Sequence, residues 1–485
     1  MTDNVIASVG YGNILAAQGA LGLTRSRRDP TSDINIFSGL VRYPEYFRTN
    51  ITWVDEVPSD WILLPGRSVL SEVHEYNKGL VESTVLSLSF GSVVIKPIDK
   101  LHGLVPASFE SYQVLRPNDI VIRPTDLQND QRSLRVGKVL HHGIITSAYI
   151  GLRLCNINSD YATWYLKVLD YLKVFYGIGS GLRQNLTFDD FKRLPIVVPP
   201  KEEQELIVRY LAHAHQRINH AIATKQKLLA LLAEERGAIE TTFLPRNANP
   251  VSLRYLSKIG SGSTPSRTTP EFWEGGSIPW LNSSCVNDGA ITKAHQFVTE
   301  LALVKCHLPM VPAGSVLIGI TGQGRTRGMA ATLEIPSTIN QHLAFIKPNY
   351  ELLPGYLKAF LGSKYSELRS LSDDSGSTKG ALTIADIKAI QVPLVNAVEQ
   401  QNVIDSIRFE TAAVNQHIGI VRREIALLEE FRPRLTADVV TGQVDVRDIA
   451  ANLPPIDPAT AFTSSSVANE DDVEVGSGAE ELLEE

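Results

Sequence analysis

The sequence has few of the features that mark secreted, membrane or metal-binding proteins. Its 485 residues include three cysteines, Cys155, Cys285 and Cys306, with no Cys-x-x-Cys spacing. This pattern predicts neither a disulfide framework nor a structural zinc site, and it favours a reducing cytoplasm. No apolar run approaches the roughly 18 residues that a membrane helix needs, so we expect no membrane partner. Asp3 stands where a signal peptide has basic residues, and we therefore expect no secretory signal.

Motifs for catalysis and for cofactor binding are also missing. The sequence contains no P-loop of the form GxxxxGK[ST], and the glycine-rich run at 177–181 is predicted to be a plain loop, because no strand precedes it. His141 and His142 have no HExxH-like companion, and neighbouring residues of a strand point to opposite faces. We therefore predict a protein that is not an enzyme and has no metal site or cofactor of its own.

The net charge of −7 comes from the C-terminal end of the chain. Residues 449–485 contain nine acidic side chains and no lysine or arginine, whereas the rest of the chain contains 46 basic and 44 acidic residues. This balance neither requires nor excludes a nucleic-acid partner, but it argues against a protein that coats DNA by charge alone. The tail is rich in Pro and Ser and poor in large apolar residues, so we predict that it is disordered.

An internal repeat is the most informative feature that the sequence does have. The segment 186–236 recurs at 382–432, displaced by 196 residues without a gap, and its apolar positions recur with it. Upstream, 115–122 aligns with 311–318 at the same displacement. The chain is therefore predicted to contain two copies of one unit, each a globular domain followed by a long helix.

Each repeated segment has the apolar periodicity of a long helix with a seam for a partner helix. Apolar residues recur at steps of three, four or seven, which predicts one helix from Lys201 to about Phe243 and another from about Ala397 to Val440. Each would be roughly 60 Å long. Pro433 should kink or interrupt the second helix near its end. Two similar seams in one chain predict that the helices pair as an antiparallel coiled coil.

The globular parts are predicted to be of the α+β class. Four segments have strand composition bounded by Pro or Gly, and two others have the pattern of short helices: 114–124, 148–154, 314–320 and 343–348 for the strands, 164–174 and 354–361 for the helices. The predicted organisation is an N-terminal segment 1–54, a first globular domain 55–200, a first long helix 201–244, a second globular domain 245–396, a second long helix 397–440 and a C-terminal segment 441–485.

With these features the chain resembles the DNA-specificity (S) subunit of type I restriction–modification enzymes. The resemblance is carried by the junctions LTFDDFKRLPIVVPPKEEQELIVRYL at 186–211 and LTIADIKAIQVPLVNAVEQQNVIDSI at 382–407, by GSGSTPSRTTPEFWEGGSIPWLNSS at 260–284 and by FRPRLTADVVTGQVDVRD at 431–448. It covers about residues 55–448. The first domain departs from the family most, because its segment 70–78 lacks the STP-type loop.

The resemblance implies a sequence-specific DNA-binding subunit with two target-recognition domains, each reading one half of a bipartite, asymmetric target. It also implies two methyltransferase (M) subunits that bind S-adenosylmethionine, and ATP-dependent restriction (R) subunits that use ATP and Mg²⁺. The partners are expected to dock on the paired helices, and we predict docking at the Glu-Gln pairs Glu203-Gln204 and Glu399-Gln400.

Candidate DNA contacts are exposed polar clusters that combine Arg, Lys, Asn or Gln with Gly. Glycines let the backbone approach phosphates, and Arg and Gln pair with guanine and adenine edges respectively. Trp280 is predicted to belong to the core rather than to a base-stacking platform. The predicted contacts are Ser263, Thr264, Ser266, Arg267, Gln323, Arg325, Arg327, Thr378 and Lys379 in the second domain, and Gln128, Asn129, Arg132, Arg183 and Gln184 in the first.

Two other functions remain open from the sequence. One is the recognition subunit of a system that only methylates DNA. The other is a coiled-coil scaffold whose globular domains bind proteins instead of DNA; it explains the helices but not the segment 260–284.

Overall fold

The structure is a computed structural model. It describes residues 36–96, 108–125, 127, 130, 133–178, 185–246, 248–321, 326–373 and 380–455. The chain divides into two compact units: unit 1 is Met1–Gln226 with Arg422–Ser465, and unit 2 is Lys227–Val421 with Ser466–Glu485. These boundaries fall inside the two long helices. In the second helix, Val403 and Ile404 pack against the core of unit 2, whereas Leu428 and Leu435 are buried in the core of unit 1.

Helices and short strands follow one another along both units, as an α+β fold requires. The helices are α1 Ser159–Tyr171, α2 Val174–Ile178, α3 Phe188–Arg193, α4 Lys201–Phe243, α5 Leu253–Leu256, α6 Glu300–Lys305, α7 Pro354–Ser363, α8 Tyr365–Asp373, α9 Ile384–Ala389, α10 Ala397–Val440 and α11 Arg447–Ala451. The strands of unit 1 are β1 Tyr46–Ile51, β2 Val54–Pro58, β3 Ile62–Pro65, β4 Leu70–Glu72, β5 Leu86–Ser89, β6 Ser92–Ile95, β7 Gln113–Leu115, β8 Ile120–Ile122, β9 Val136–Lys138, β10 Gly143–Ile145, β11 Ile150–Leu154 and β12 Pro195–Val198. Those of unit 2 are β13 Pro250–Ser252, β14 Ser257–Ser261, β15 Ile278–Leu281, β16 Ala290–Ile291, β17 Gln296–Val298, β18 Ser315–Gly319, β19 Ala330–Leu333, β20 Thr338–Ile339, β21 Leu343–Pro348 and β22 Gln391–Pro393.

Both long helices form where the sequence predicts them. The predicted strands and short helices are also present, although α1 begins and ends earlier than its apolar pattern suggests. Pro433 does not interrupt α10, so that alternative of the prediction is wrong. Proline removes one hydrogen bond from the helix, but Phe431, Leu435 and Val439 on both sides of it pack into the core of unit 1, and this burial outweighs the loss.

The main sheet of unit 1 has the strand order β4-β11-β8-β9, with every pair antiparallel. The antiparallel pairs β1–β2, β3–β12, β5–β6 and β7–β10 lie outside this sheet. Helix α1 packs on the main sheet through Tyr161, Tyr165 and Leu169, which are fully buried in the same core as Ile120 and Ile122. The main sheet and α1 thus form the framework from which the loops between the strands of this sheet extend.

Residues from both ends of the described chain belong to unit 1. Ile36 and Tyr43 are buried in its core, and β1 pairs with β2 across the predicted boundary at residue 54. At the other end, Ala450 and Leu453 are buried in the same core. The core therefore includes parts of both predicted terminal segments, while most of the predicted disordered tail, from residue 456 onward, lies outside the described residues.

Within unit 1 the first half of α4 contacts the last part of α10 through polar side chains. Lys225 Nζ lies 2.8 Å from Glu424 Oε2. Arg432 Nη1 donates to Asn219 Oδ1 at 2.7 Å. Since residue numbers fall along α10 as they rise along α4, these two helix segments run antiparallel.

Unit 2 repeats the architecture with an addition. Its main sheet, β14-β21-β18-β19-β16, has the order of the unit 1 sheet plus β16, which joins parallel to β19. The pair β13–β22 corresponds to β3–β12. Helix α7 packs Tyr356 and Leu357 against Val316 and Ile346 of the sheet. A second sheet, β17-β15-β20, carries Trp280, which is 3% exposed and therefore in the core, as predicted.

Candidate nucleic-acid interface

The predicted contact loops leave the two units from equivalent places. In unit 1 the Leu186 N–H donates to Pro124 O at 2.9 Å. The start of the segment that follows β8 therefore lies beside the end of the segment that precedes α3. In unit 2 the Leu382 N–H donates to Ile320 O at 2.8 Å. Both members of the second bond lie 196 residues after those of the first, so the repeat extends to the hydrogen bond that anchors the loops.

Most of the predicted contact residues lie outside the described residues. These are Gln128, Asn129, Arg132, Arg183, Gln184, Gln323, Arg325, Thr378 and Lys379. The predicted contacts that the structure describes are Ser263, Thr264, Ser266, Arg267 and Arg327, all of them in unit 2.

The loop after β14 is held in one shape by main-chain contacts and by two indole groups. Ser263 N donates to Ile339 O at 3.0 Å. A Cβ at Gly262 would lie 1.8 Å from the same oxygen, so only glycine permits this approach. Trp280 Nε1 donates to Ser263 O at 3.2 Å and Trp273 Nε1 donates to Ser266 O at 2.9 Å. These contacts fix the conformation of the loop.

Arg267 lies at the end of this loop, over the ring of Trp273 and near that of Trp280. Its Cζ is 3.9 Å from the centroid of the Trp273 ring and 5.1 Å from that of the Trp280 ring, and Nη2 donates to Gln296 Oε1 at 3.0 Å. Partial burial by these rings lowers the Arg267 pKa, but an arginine stays protonated in proteins. The residue is exposed, so a cation is fixed on an aromatic surface that water and a ligand can reach.

A chain of side-chain contacts links this loop to the other two predicted loops of unit 2. Thr264 Oγ1 donates to Gln341 Oε1, and Gln341 Nε2 lies 3.1 Å from His342 Nε2. The other ring nitrogen, His342 Nδ1, is hydrogen-bonded to Thr321 Oγ1 at the start of the loop after β18. Thr321 in turn pairs with Ala381, where the loop between α8 and α9 ends. Three loops that are far apart in sequence therefore share one support.

A cavity of about 460 Å³ adjoins Arg267 and contains residues that the sequence analysis missed. Lys293 and His295 are exposed on its wall, and none of its described lining residues is acidic. Lys293 and His295 lie between the short strands β16 and β17. They belong to no motif, and isolated residues of this kind give no periodic pattern in the sequence. The cavity lining includes Trp280, Asn282, Ser284, Lys293, His295 and Gln296.

The sequence predicts that Arg327 belongs to an exposed cluster that contacts DNA, whereas its side chain is only 3% exposed. The turn that carries it folds back on β18: Gly328 N donates to Gly319 O at 2.8 Å, and a Cβ at Gly319 would lie 2.2 Å from Thr326 O. This close return places the arginine in the interior. The conformation therefore does not favour a direct contact between Arg327 and DNA.

The glutamines of the two predicted docking pairs hold equivalent positions inside the chain. Gln204 Oε1 accepts from Asn158 N, at the start of α1, and Nε2 donates to Pro199 O, both at 2.8 Å. Gln400 Oε1 accepts from Leu353 N, at the start of α7, also at 2.8 Å. Each glutamine joins its long helix to the short helix of its own unit, a use that leaves these side chains buried.

The two glutamates of these pairs differ in exposure. Glu203 is 5% exposed and accepts a hydrogen bond from Tyr43 Oη at 2.5 Å, and burial raises the pKa of its carboxyl group. Glu399 is exposed. Among the four residues predicted to dock partners, Glu399 is thus the one whose side chain this chain leaves accessible.

None of the helices in the part of the chain that the structure describes has the length and apolar character needed to cross a membrane. Within the same residues, no three His, Cys, Asp or Glu side chains are arranged to hold a metal ion.

Comparison with known proteins places this architecture among restriction–modification proteins. The family profile described as type I restriction modification DNA specificity domain matches residues 144–230 and 245–408. The specificity subunit of the type I restriction enzyme EcoR124I/EcoR124II from Escherichia coli is 23% identical over 282 residues, 57% of this chain and 70% of the relative. The MjaIX specificity subunit from Methanocaldococcus jannaschii is 26% identical over 163 residues, 33% of this chain and 37% of the relative.

A solved structure supports the fold. A chain described under complex assembly and conformational transition of the type I R-M system aligns with a TM-score of 0.50 and 17% identity, covering 80% of this chain and 99% of its own. Specificity subunits are non-catalytic recognition subunits, which confirms the prediction that this chain is not an enzyme. The family profile matches more than half of the chain, and the chain therefore belongs to the type I restriction–modification DNA specificity family.

Proposed function

We propose that the chain binds double-stranded DNA and recognises a bipartite, asymmetric target, with unit 1 reading one half-site and unit 2 the other. The observation that carries this proposal is the support shared by the three polar loops of unit 2, beside the stacked guanidinium of Arg267. The two units differ in the sequences of their loops, which supports an asymmetric target. The anchoring hydrogen bond that both units share supports a common way of presenting those loops.

The chemistry of the unit 2 site suits the backbone and the base edges of DNA. Arg267 offers a charged donor group that is fixed in orientation, and fixed donors lose less entropy on binding than free side chains do. Lys293 and His295 extend the polar surface along the cavity wall, where we propose that they contact phosphates. Phosphate and sugar take half or more of the hydrogen bonds in protein–DNA complexes, so contacts of both kinds are expected in one interface.

We also propose that α4 and α10 pair along their length as an antiparallel coiled coil that sets the spacing of the half-sites. The buried residues Gln400, Ile407, Val414 and Val421 on α10 are seven residues apart, the spacing of a coiled-coil seam. Readers on one face of B-DNA favour half-sites about one helical turn, roughly 34 Å, apart. This distance is within the roughly 60 Å length of each helix.

The partners proposed for this chain are two methyltransferase subunits and restriction subunits, which would supply S-adenosylmethionine, ATP and Mg²⁺ chemistry. The names of the relatives support this assignment, since they are specificity subunits of restriction enzymes. Docking is proposed to include Glu399 on α10.

Membership of a DNA specificity family disfavours the scaffold without DNA, and a methylation-only system would differ by having no restriction subunit.

The decisive experiment replaces Arg267 by alanine in the complex with its methyltransferase subunits. Binding is measured against a panel of single-base changes in both half-sites, at two salt concentrations. A base contact predicts a loss of about 1–3 kcal/mol and relaxed specificity in one half-site alone. A phosphate contact predicts weaker binding to all sequences and a salt slope reduced by about one.

The matched control is Arg254→Ala, which removes an exposed arginine from α5 of the same unit. We expect this variant to keep wild-type affinity and salt slope. If Arg267→Ala matched the control in both measurements, Arg267 would not lie in the DNA interface. If the wild-type complex bound unrelated duplexes as tightly as every candidate target, the proposed function would fail.

A further inference from the structure

Among the residues that the structure describes, the guanidinium of Arg267 is held by neutral groups and by no carboxylate. Its Cζ lies 3.9 Å from the centroid of the Trp273 ring, and Nη2 donates to Gln296 Oε1 at 3.0 Å. Burial alone lowers the Arg267 pKa, and no acidic neighbour raises it. The guanidinium is therefore oriented while its charge stays available to a ligand.

The groups that hold Arg267 are themselves fixed. The rings of Trp273 and Trp280 meet edge to face, with their centroids 5.2 Å apart and an angle of 84° between the planes. Gln296 lies in β17, directly opposite Trp280 of β15 in the antiparallel pair, and its side chain is half-buried. Because these contacts belong to one small sheet, Arg267 has a set plane as well as a set position.

A guanidinium with a set plane suits one feature of DNA better than any other. The major-groove edge of guanine presents two acceptors, O6 and N7, and a bidentate arginine is its most common specific partner. A phosphate can also be bound by a mobile lysine, as a point charge, whereas a base edge requires donors in a given plane. A guanidinium has five N–H groups, so the bond to Gln296 leaves enough of them for a bidentate pair.

We propose that Arg267 reads a guanine in the half-site of unit 2, and that Gln296 is its positioning residue. Gln296 acts through Arg267: its amide oxygen sets the direction of the guanidinium without neutralising it. A glutamate at this place would hold the arginine more tightly, but it would compete with the base for the same N–H groups. This inference rests on the proposed function, and it adds which base is read and which residue orients the reader.

The first test changes the base. Each guanine of the two half-sites is replaced in turn by 7-deazaguanine, which pairs normally but lacks the N7 acceptor, and binding of the complete complex with methyltransferase subunits is measured. The wild-type complex should lose about tenfold in affinity or more at one guanine. Arg267→Ala should bind the natural and the modified duplex equally at that position. Arg267→Lys should do the same, because lysine keeps the charge but lacks the planar fork.

The second test changes the residue that orients the arginine. Gln296→Met frees the guanidinium, and the effect of 7-deazaguanine should then shrink to about threefold. Gln296→Glu should keep the melting temperature of the wild type, because an ion pair replaces the hydrogen bond, and yet lose most of the discrimination at the same guanine. A purely structural role predicts the opposite, since glutamate is the stronger acceptor. Gln391→Glu adds the same charge at an exposed position of β22 and should leave discrimination unchanged.

The outcomes separate this inference from the proposed function. The reading of guanine is overturned if no 7-deazaguanine weakens wild-type binding, or if Arg267→Ala is as sensitive to it as the wild type. The role of Gln296 is overturned if Gln296→Glu keeps the wild-type discrimination. If Arg267→Ala weakens binding to all sequences equally and lowers the salt slope, Arg267 contacts a phosphate, so that this inference fails and the DNA-binding function holds. Only a wild-type complex without any sequence preference would refute the proposed function.

Discussion

Unit 1 and unit 2 anchor their predicted contact loops with the same hydrogen bond at repeat-equivalent positions, but they support those loops in different ways. In unit 1 the support is the fully buried guanidinium of Arg135, which donates to main-chain carbonyls. In unit 2 it is a chain of side chains through Gln341 and His342, of which Gln341 is exposed. The backbone frame has been kept through the duplication, and the side chains around it have been replaced.

This difference shows how a duplicated unit can acquire a second specificity. A main-chain hydrogen bond does not depend on side-chain identity, so it survives sequence divergence. The side chains near it are free to change, and each set holds loops of its own length and composition. Recognition of two different half-sites is therefore compatible with one repeated fold.

The long helices also differ between the two units in their buried polar side chains. In unit 1, His215 Nε2 is hydrogen-bonded to Thr436 Oγ1 at 2.8 Å. In unit 2 the residues equivalent to these two, at the repeat displacement of 196, are Thr411 and Glu240. Unit 1 thus pairs a buried histidine with a threonine, whereas the equivalent positions of unit 2 hold a threonine and a buried carboxylate. The two units should therefore respond differently to mutation and to pH.

The largest effect is expected from Glu240→Ala in unit 2. The Glu240 side chain is buried and its Oε1 lies 3.1 Å from Lys358 Nζ and 3.7 Å from Arg236 Nε. Its removal leaves two partly buried cations without their shared carboxylate, which should lower the free energy of unfolding by about 3 kcal/mol. Hydrogen exchange measured by mass spectrometry should report the loss at α7 and in the second half of α4.

The matched control for this variant is Glu235→Ala, on an exposed face of the same helix. It should change the free energy of unfolding by less than about 0.5 kcal/mol. Equal effects of the two substitutions would show that the buried ion pair does not stabilise unit 2. Faster exchange confined to unit 1 would contradict the assignment of Glu240 to the unit 2 core.

A smaller effect, in unit 1, should follow from acidification. Burial, together with the charges of Arg432 and Lys167, lowers the pKa of His215 to about 3, whereas an unfolded histidine titrates near pH ~6.5. Protonation therefore favours the unfolded state. The stabilisation is complete above pH ~6.5 and is lost as the pH falls, by about 2 kcal/mol between pH 7 and pH 5.

Urea denaturation at a series of pH values tests this prediction. His215→Gln should reduce the loss of stability between pH 7 and pH 5, because glutamine does not titrate. His220→Gln, on the exposed surface of the same helix, should leave it as in the wild type. Since Thr411 takes the equivalent place in unit 2, a wild-type acid response that appeared mainly in unit 2 would refute the role given to His215.

The sequence predicts the features that repeat or recur at short range. The long helices, the strands on either side of Pro124 and Ile320, and the equivalence of the two units follow from helical periodicity, strand composition and one constant displacement. Helical periodicity and strand composition are local patterns that extend over a few turns of helix or a few residues of strand. They do not report what a residue contacts across the fold. The sequence therefore predicts a kink or an interruption at Pro433, whereas the helix continues through it.

Burial of isolated polar residues is the part that could not be predicted. Arg327 lies in a glycine-rich segment that has the composition of an exposed loop, yet Gly319 lets the turn return to β18 and encloses the side chain. Arg135 lies next to predicted contact residues, and its partner Tyr176 is 41 residues away along the chain. In each case the deciding contact is made by the tertiary fold.

The smallest effect is expected from the side-chain support of unit 2. Gln341→Ala removes the link between Thr264 and His342, but Gln341 is exposed and water can replace its hydrogen bonds. The main-chain anchor from Leu382 to Ile320 remains. We therefore expect a change in unfolding free energy of less than about 0.5 kcal/mol and a loss of discrimination of about threefold, confined to the half-site that Arg267→Ala affects. Methylation of the single-base panel measures this, with Gln401→Ala on the exposed surface of α10 as the control. A loss of about tenfold or more would show that unit 2 relies on these exposed side chains to hold its loops, and the contrast between a buried and an exposed support would then have no functional meaning.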